Sequence, residues 1–262
     1  MQKSPPPAQY KVPALEKGLD ILELLAASSM PMSLTEISRA VGRKVSEMQR
    51  MVGYLHARGY LVRDSLGGYR ISSRLFRLAH IHPPFQNLLG RALPHMETFA
   101  AKARESIHLS IFEEYESLIL GQAVNHGDPV SLSVPVGSRA HAEETVAGRL
   151  MLAGLSPEAF ASFVTLKKIK GQALTALQGR LERIRKDGFD GGPCEQAEGI
   201  HHLGVAVRAA GAMPVAAITC AYLSSKAAKP AHAEALLAAL RETALAIGNE
   251  LEPVQLGIGS KK

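Results

Sequence analysis

Cysteine is scarce in this chain of 262 residues: only Cys194 and Cys220 occur. Two thiols make no disulfide framework, and a reducing cytoplasm is the expected setting. Metal-binding spacings are missing as well, with no CxxC and no HExxH. Glycine loops of the Walker or dinucleotide type are also absent. The sequence therefore calls for no metal and no cofactor. The opening residues "MQKSPPPAQYK" have no apolar run after the lysine, so no secretory signal is expected and residues 1–11 read as a disordered tail. One apolar stretch, "LGVAVRAAGAMPVAAITCAYL" at 203–223, is long enough for a bilayer, but Arg208, Gly211 and Pro214 interrupt it. Two buried strands joined by a turn fit it better than a membrane span.

Apolar residues make up 46% of the chain, enough for a real core in one large domain or two smaller ones. Charge is unevenly placed. Residues 1–80 hold twelve Lys or Arg against six Asp or Glu, so they carry the whole net charge of +6. The remainder is balanced. A cationic head on a neutral body suits a polyanion partner.

Within that head, a helix is expected over 14–27, with Leu15, Leu19, Leu22 and Leu25 or Ala26 along its apolar side. "SLTEISRAVG" follows at 33–42. Ser33 and Glu36 have the spacing of a capping box, and Gly42 can end the helix in a left-handed conformation. A third helix is predicted over 45–58, stopped by Gly59. "YLVRDSLGGYRIS" then reads as two short strands around a glycine turn. Three short helices and a hairpin in this order make a winged helix-turn-helix.

Helical geometry sorts the third helix into faces. At about 100° per residue, Met48, Met51, Val52 and Leu55 form the core stripe. Ser46, Arg50, Gly53 and Ala57 lie opposite, with Gln49 to one side and Glu47 to the other. Such a small, polar, cationic face suits the major groove of B-DNA. Arg can grip guanine O6 and N7, Gln can pair with adenine, and Ser can contact a base or a phosphate. Arg43 and Lys44 in the turn suit phosphates, and Arg63 and Arg70 on the wing can reach the flanking backbone or minor groove. Gly53 costs the helix ~1 kcal/mol relative to Ala. Close approach of DNA backbone would use that cost, and so would tight helix packing. Glu47 would repel phosphate unless it accepts from cytosine or pairs with Arg43 or Arg50.

Beyond residue 80, "FQNLLGRALPHMETFAAKARES" (85–106) is amphipathic, and Pro94 should kink or restart its helix. A hairpin is expected over 107–124 and a further short strand over 131–136. Helices near 145–154, 157–165 and 172–187 precede strands at 200–207 and 214–222, and a long helix spans about 230–251. Helices around an antiparallel-rich sheet make an α+β domain.

Together these segments resemble the IclR family of bacterial transcription regulators. The resemblance is carried by "LEKGLDILELLA" (15–26), "SLTEISRAVG" (33–42), "SEMQRMVGYLHARGYL" (46–61) and "YRIS" (69–72). It continues in "VPVGSRAHAEETVAGRLMLAGL" (134–155), "KDGFDGGPCEQAEGIHHLGVAV" (186–207) and "MPVAAITCAYL" (213–223). It implies a winged helix-turn-helix DNA-binding domain at 12–80, a linker helix at 81–96, a GAF-like α/β effector-binding domain at 97–252 and a tail at 253–262. It further implies homodimers or dimers of dimers on double-stranded operator DNA. In such relatives a small effector sits at one end of the sheet, partly on backbone N–H groups. Val146 and Ala147 take those positions here, at a helix start that favours an anion. His202 stands where a cysteine is frequent, and Thr219 and Ala221 lie on the paired strand. Gly192 replaces an acid, and Cys194–Glu195 replaces an acidic pair. These departures suggest a different or less polar ligand; a carboxylic or aromatic acid is one expectation.

His201 and His202 invite a metal reading with Cys194, Glu195, Glu143 or Glu144. Adjacent strand residues point to opposite faces, however, so both histidines cannot easily share an ion. A Cys194–His202 catalytic pair would need an activated thiol and an oxyanion site, and neither is signalled. The basic run at 166–186 reads as a solvated helix face. The expected function is a cytoplasmic, ligand-responsive transcription regulator rather than an enzyme. A metabolite-processing enzyme with an accessory winged domain is the alternative, and a winged protein–protein adaptor a further rival.

Overall fold

Pro13 opens the first helix, α1 (Pro13–Ala26), at a position where its missing N–H costs nothing. The computed structural model describes residues 12–80, 83–128, 131–194, 197–209, 213–227 and 230–251; the two predicted tails lie outside them. The chain divides into two units, at His82/Pro83.

In the first unit, α2 (Leu34–Val41) starts at the Ser33–Glu36 capping box, with both reciprocal hydrogen bonds formed. Gly42 ends it at φ 70°. Helix α3 (Val45–Ala57) follows, then an antiparallel hairpin of β1 (Leu61–Arg63) and β2 (Tyr69–Ile71). Met32 and Tyr69 exchange both backbone hydrogen bonds, so the loop before α2 adds a bridge to the wing. A short helix that the sequence did not signal, α4 (Arg74–His80), closes the unit. Ile21, Leu25, Ile37, Met48, Val52 and Leu61 form its core. The expected stripe on α1 holds at Leu25, which is buried, and at Leu22, which packs against this core, and fails at its N-terminal half. Leu15 and Leu19 are 58% and 48% exposed, whereas Ile21 is fully buried. Leucine and isoleucine cover more than half of this helix's circumference, so the neighbours α2 and α3 decide which of them it buries.

The second unit opens with α5 (Pro83–Ala103), which passes Pro94 without a break. The carbonyl that loses its donor belongs to exposed Gly90, where water can serve it. A hairpin follows, β3 (Ile107–Glu113) and β4 (Glu116–Ala123), whose turn residues Glu114 and Tyr115 both have positive φ. Next come β5 (Arg139–His141), α6 (Val146–Ala153), α7 (Pro157–Lys167), α8 (Gly171–Asp187) and β6 (Asp190–Pro193). Strands β7 (Ile200–Arg208) and β8 (Pro214–Leu223), helix α9 (Ser224–Ala227) and helix α10 (Pro230–Glu250) complete it.

The six strands form one antiparallel sheet in the order β5-β4-β3-β8-β7-β6. Alternation assigns its two faces. Ile107, Leu109, Ile218, Cys220 and Val205 pack with α5 and α10. Ala217 packs on the other face with α6, α7 and α8. The unit is therefore a mixed α+β layer structure. The strand expected at 131–136 is not formed; β5 begins at Arg139 instead. Pro135 has no N–H for a ladder, and the Val134 N–H goes to the His108 ring at 2.8 Å. The apolar stretch at 203–223 supplies parts of β7 and β8, and among the described residues no helix is long and apolar enough to cross a membrane.

Candidate functional site

Helix α3 turns as its periodicity requires. Met48 and Val52 are buried, and Met51 and Leu55 are half-buried against them. Ser46, Gln49, Arg50 and Gly53 are exposed, as are Arg43 and Lys44 in the preceding turn. A Cβ built on Gly53 would meet nothing within 4 Å, so packing inside this unit does not explain that glycine. Glu47 pairs with Lys17 of α1 rather than with Arg43 or Arg50. That bond to Lys17 is the main cause holding its carboxyl below the ordinary range, and it ties the first turn of α3 to α1.

On the wing, Arg70 is exposed on β2. Arg63 is exposed but engaged: its Nε donates to the Gly67 carbonyl at 3.3 Å and its guanidinium lies over the Tyr69 ring. Asp64 accepts from the N–H groups of Leu66 and Gly68, which fixes the tip. The sequence reading passed over Leu66, which is 94% exposed at that tip.

In the second unit, all six residues expected around an effector line a single cavity. It encloses about 250 Å³ and is bounded by Val146, Ala147, Gly192, His202, Thr219 and Ala221, among others. Strand register explains the convergence. Gly192 pairs with His202, and His202 with Ala221, so the three cross the sheet in one row. Thr219 lies one pleat away beside His108. Helix α6 starts above Gly204, where a Cβ would lie 2.8 Å from Val146 Cγ1. Thr145 caps it by accepting from Gly148 N–H, and the N–H groups of Val146 and Ala147 stand at its positive end.

Both cavity histidines are neutral near pH 7. Burial pushes His108 down to about 4, with a smaller push from His202 and an opposing backbone bond at Thr219. Burial also lowers His202, helped by the Arg149 and His201 charges. His201 faces away, with Nδ1 3.0 Å from Ser224 Oγ. The two histidines are therefore on opposite faces, as alternation predicts. Cys194 also lines the cavity, while Glu195 lies outside the described residues. Burial raises the Cys220 thiol to about 12, so it stays protonated.

Sequence reading missed several lining residues: His108, Ser110, Ser117, Arg149 and Arg180. One signal was available. "IHLSIF" alternates apolar with polar in a strand buried on both faces, which marks His108 and Ser110 as facing something polar. Arg180 lies in the basic run expected to be a solvated face, but it donates to Asp190 at 2.9 Å.

Comparison with known proteins identifies the architecture. Residues 14–65 match the IclR helix-turn-helix domain, and residues 85–249 match the domain described as bacterial transcriptional regulator IclR C-terminal. The chain belongs to the IclR family of bacterial transcriptional regulators. Like the family it is a DNA-binding regulator of transcription. It is similar to the HTH-type transcriptional repressor AllR of Salmonella typhi, with 26% identity over 82% of this chain and 81% of that one. Similarity to the transcriptional repressor IclR of Escherichia coli K12 is 24% over 81% of each. Among solved structures, an IclR homolog from Microbacterium hydrocarbonoxydans complexed with 4-hydroxybenzoate shares the fold. Its TM-score is 0.76 at 24% identity, covering 91% of this chain and 98% of that one.

Proposed function

We propose that this IclR-family regulator acts in the cytoplasm as a homodimer or pair of dimers on operator DNA, and that a small organic acid in the cavity changes its DNA affinity. Ser46, Gln49, Arg50 and Gly53 face the major groove, Arg43 and Lys44 hold phosphates, and Arg63 and Arg70 follow the flanking backbone. Val146, Ala147, Gly192, His202, Thr219 and Ala221 hold the effector, with its carboxylate toward the α6 N-terminus. The ligand must favour one dimer arrangement over another, transmitted through the segment that begins α5 and read as spacing between two recognition helices. The protein turns over no metabolite and needs no cofactor.

One observation carries this reading: six positions scattered from residue 146 to residue 221 meet around one cavity. The aromatic acid bound in the Microbacterium homolog supports an acid as effector. The test is selection of bound fragments from genomic DNA by the purified protein, repeated with 4-hydroxybenzoate and other small acids. A near-palindromic motif with half-sites about 34 Å apart, or a multiple of it, is expected. At least one acid should change its recovery. Binding with neither sequence preference nor salt dependence would contradict the DNA-binding half. Consumption of the acid would favour an enzyme.

A further inference from the structure

Most buried polar side chains in this unit are satisfied, as protein interiors require; Gln122 Oε1, Glu143 Oε2 and His232 Nε2 are exceptions among the described residues. Ser106 accepts from Asn125 N–H and bonds Ser131, and His108 accepts from Val134 N–H. Two serines in the cavity wall differ. Ser110 and Ser117 are 3% and 6% exposed, and both line the cavity. Neither hydroxyl has a hydrogen-bond partner among the described residues, and both open onto the cavity rather than being sealed in protein.

The sheet geometry brings them together. Ser110 pairs with Ile119, and Ser117 pairs with Phe112, two residues beyond Ser110 on the same strand. They are thus diagonal neighbours on one face. A bulge makes this possible: the β3–β4 register shifts between Leu109 and Ser110, so Leu120 has no partner. Without that extra residue, strict alternation would turn Ser117 toward α5. Bulges commonly re-aim side chains beside binding sites.

The serines also stand apart from the α6 N-terminus. Val146 lies over Gly204, whose strand partner is Thr219, and Thr219 is two residues along β8 from Ala217, the partner of Ser110. Thr219 and Ser110 are thus about 7 Å apart along the strand and about 5 Å apart across one strand spacing. Apolar Ile119 and Ala140 flank the serines in the cavity wall, Val146 lines it at the α6 end, and His108, whose ring already accepts from Val134 N–H, lies beside Thr219 on the way.

We infer that the effector has two polar ends: a carboxylate held at the α6 N-terminus, and a second oxygen, a hydroxyl or carbonyl, hydrogen-bonded by Ser110 and Ser117. This rests on the cavity being the effector site. A serine hydroxyl both donates and accepts, so the pair serves either kind of oxygen. An acid lacking it forgoes both hydrogen bonds, and sites built for a hydroxyl discriminate against such analogues.

Matched acids provide the test. Binding of 4-hydroxybenzoate against benzoate, and of 4-hydroxybutyrate against butyrate, is measured by calorimetry and by thermal shift on the full chain. In at least one pair the oxygenated acid should bind roughly tenfold or more tightly. Ser110→Ala with Ser117→Ala should bring the two affinities together while the simpler acid still binds, which also shows that the cavity is intact. Equal affinities in both pairs, a preference unchanged in the double variant, or no binding by any probe would overturn the inference. Should the variant fail to fold, the wild-type ratios decide alone. Operator binding separates this from the function proposed above. A serine-dependent acid that leaves DNA affinity unchanged sinks the effector role but keeps the site. Acids that alter DNA affinity with no preference for the second oxygen do the reverse.

Discussion

Arg149 Nε donates to Asp190 Oδ2 at 2.7 Å, and both side chains are almost fully buried. The bond joins α6 to β6. Arg149 also donates to the Glu143 carbonyl, and Arg180 takes the second Asp190 oxygen. The start of α6, where Val146 and Ala147 meet the cavity, is fixed from below by this pair. Removing one partner of a buried ion pair strands the other charge.

Asp190→Asn should therefore destabilise the protein by roughly 3–5 kcal/mol. Urea unfolding at pH 7 checks this. A loss under about 1 kcal/mol would mean the site is far better hydrated than its burial indicates.

His108 makes stability depend on pH. In the folded chain it titrates near 4, whereas an unfolded histidine titrates near 6.5. Between those values the unfolded chain takes up a proton that the folded chain refuses. Its contribution is complete above pH 6.5 and declines as pH falls toward 4, by roughly 3 kcal/mol in all. His202 is lowered in the same sense and adds to it. Unfolding at pH 7.5 and pH 5 should differ less in His108→Gln than in wild type. An unchanged difference would assign the pH dependence elsewhere.

Gly53 separates folding from binding. Its open surroundings leave room for a methyl group, so Gly53→Ala should stabilise the helix by ~1 kcal/mol. If DNA backbone approaches there, the same variant should bind operator more weakly. A melting curve and a DNA titration test the two effects independently. Tighter or equal binding would remove close approach as the reason for the glycine.

Local signals were the most legible part of this fold. The Ser33–Glu36 box and the Gly42 stop concern neighbouring residues, and both form as their chemistry dictates. The buried side of α3 followed from spacing because Met48 and Val52 have polar residues opposite. On α1 the same reasoning chose Leu15 and Leu19, because a helix apolar on several sides leaves the choice to its partners. Strand β6, "DGGP", has no β-branched residue and forms because β7 offers it a ladder. In the cavity, family resemblance located residues on α6, β6, β7 and β8. Ser117 was out of reach, since its orientation depends on a bulge between strands that sequence periodicity does not show.

The central claim is that the exposed face of α3 reads duplex DNA. Its most direct test compares Arg50→Ala with wild type on the selected operator and on single-base variants of it, across a range of salt. A loss of roughly 1–3 kcal/mol on the preferred site, with tolerance gained at one base position, is the predicted result. Unchanged affinity on every sequence and at every salt concentration would contradict it.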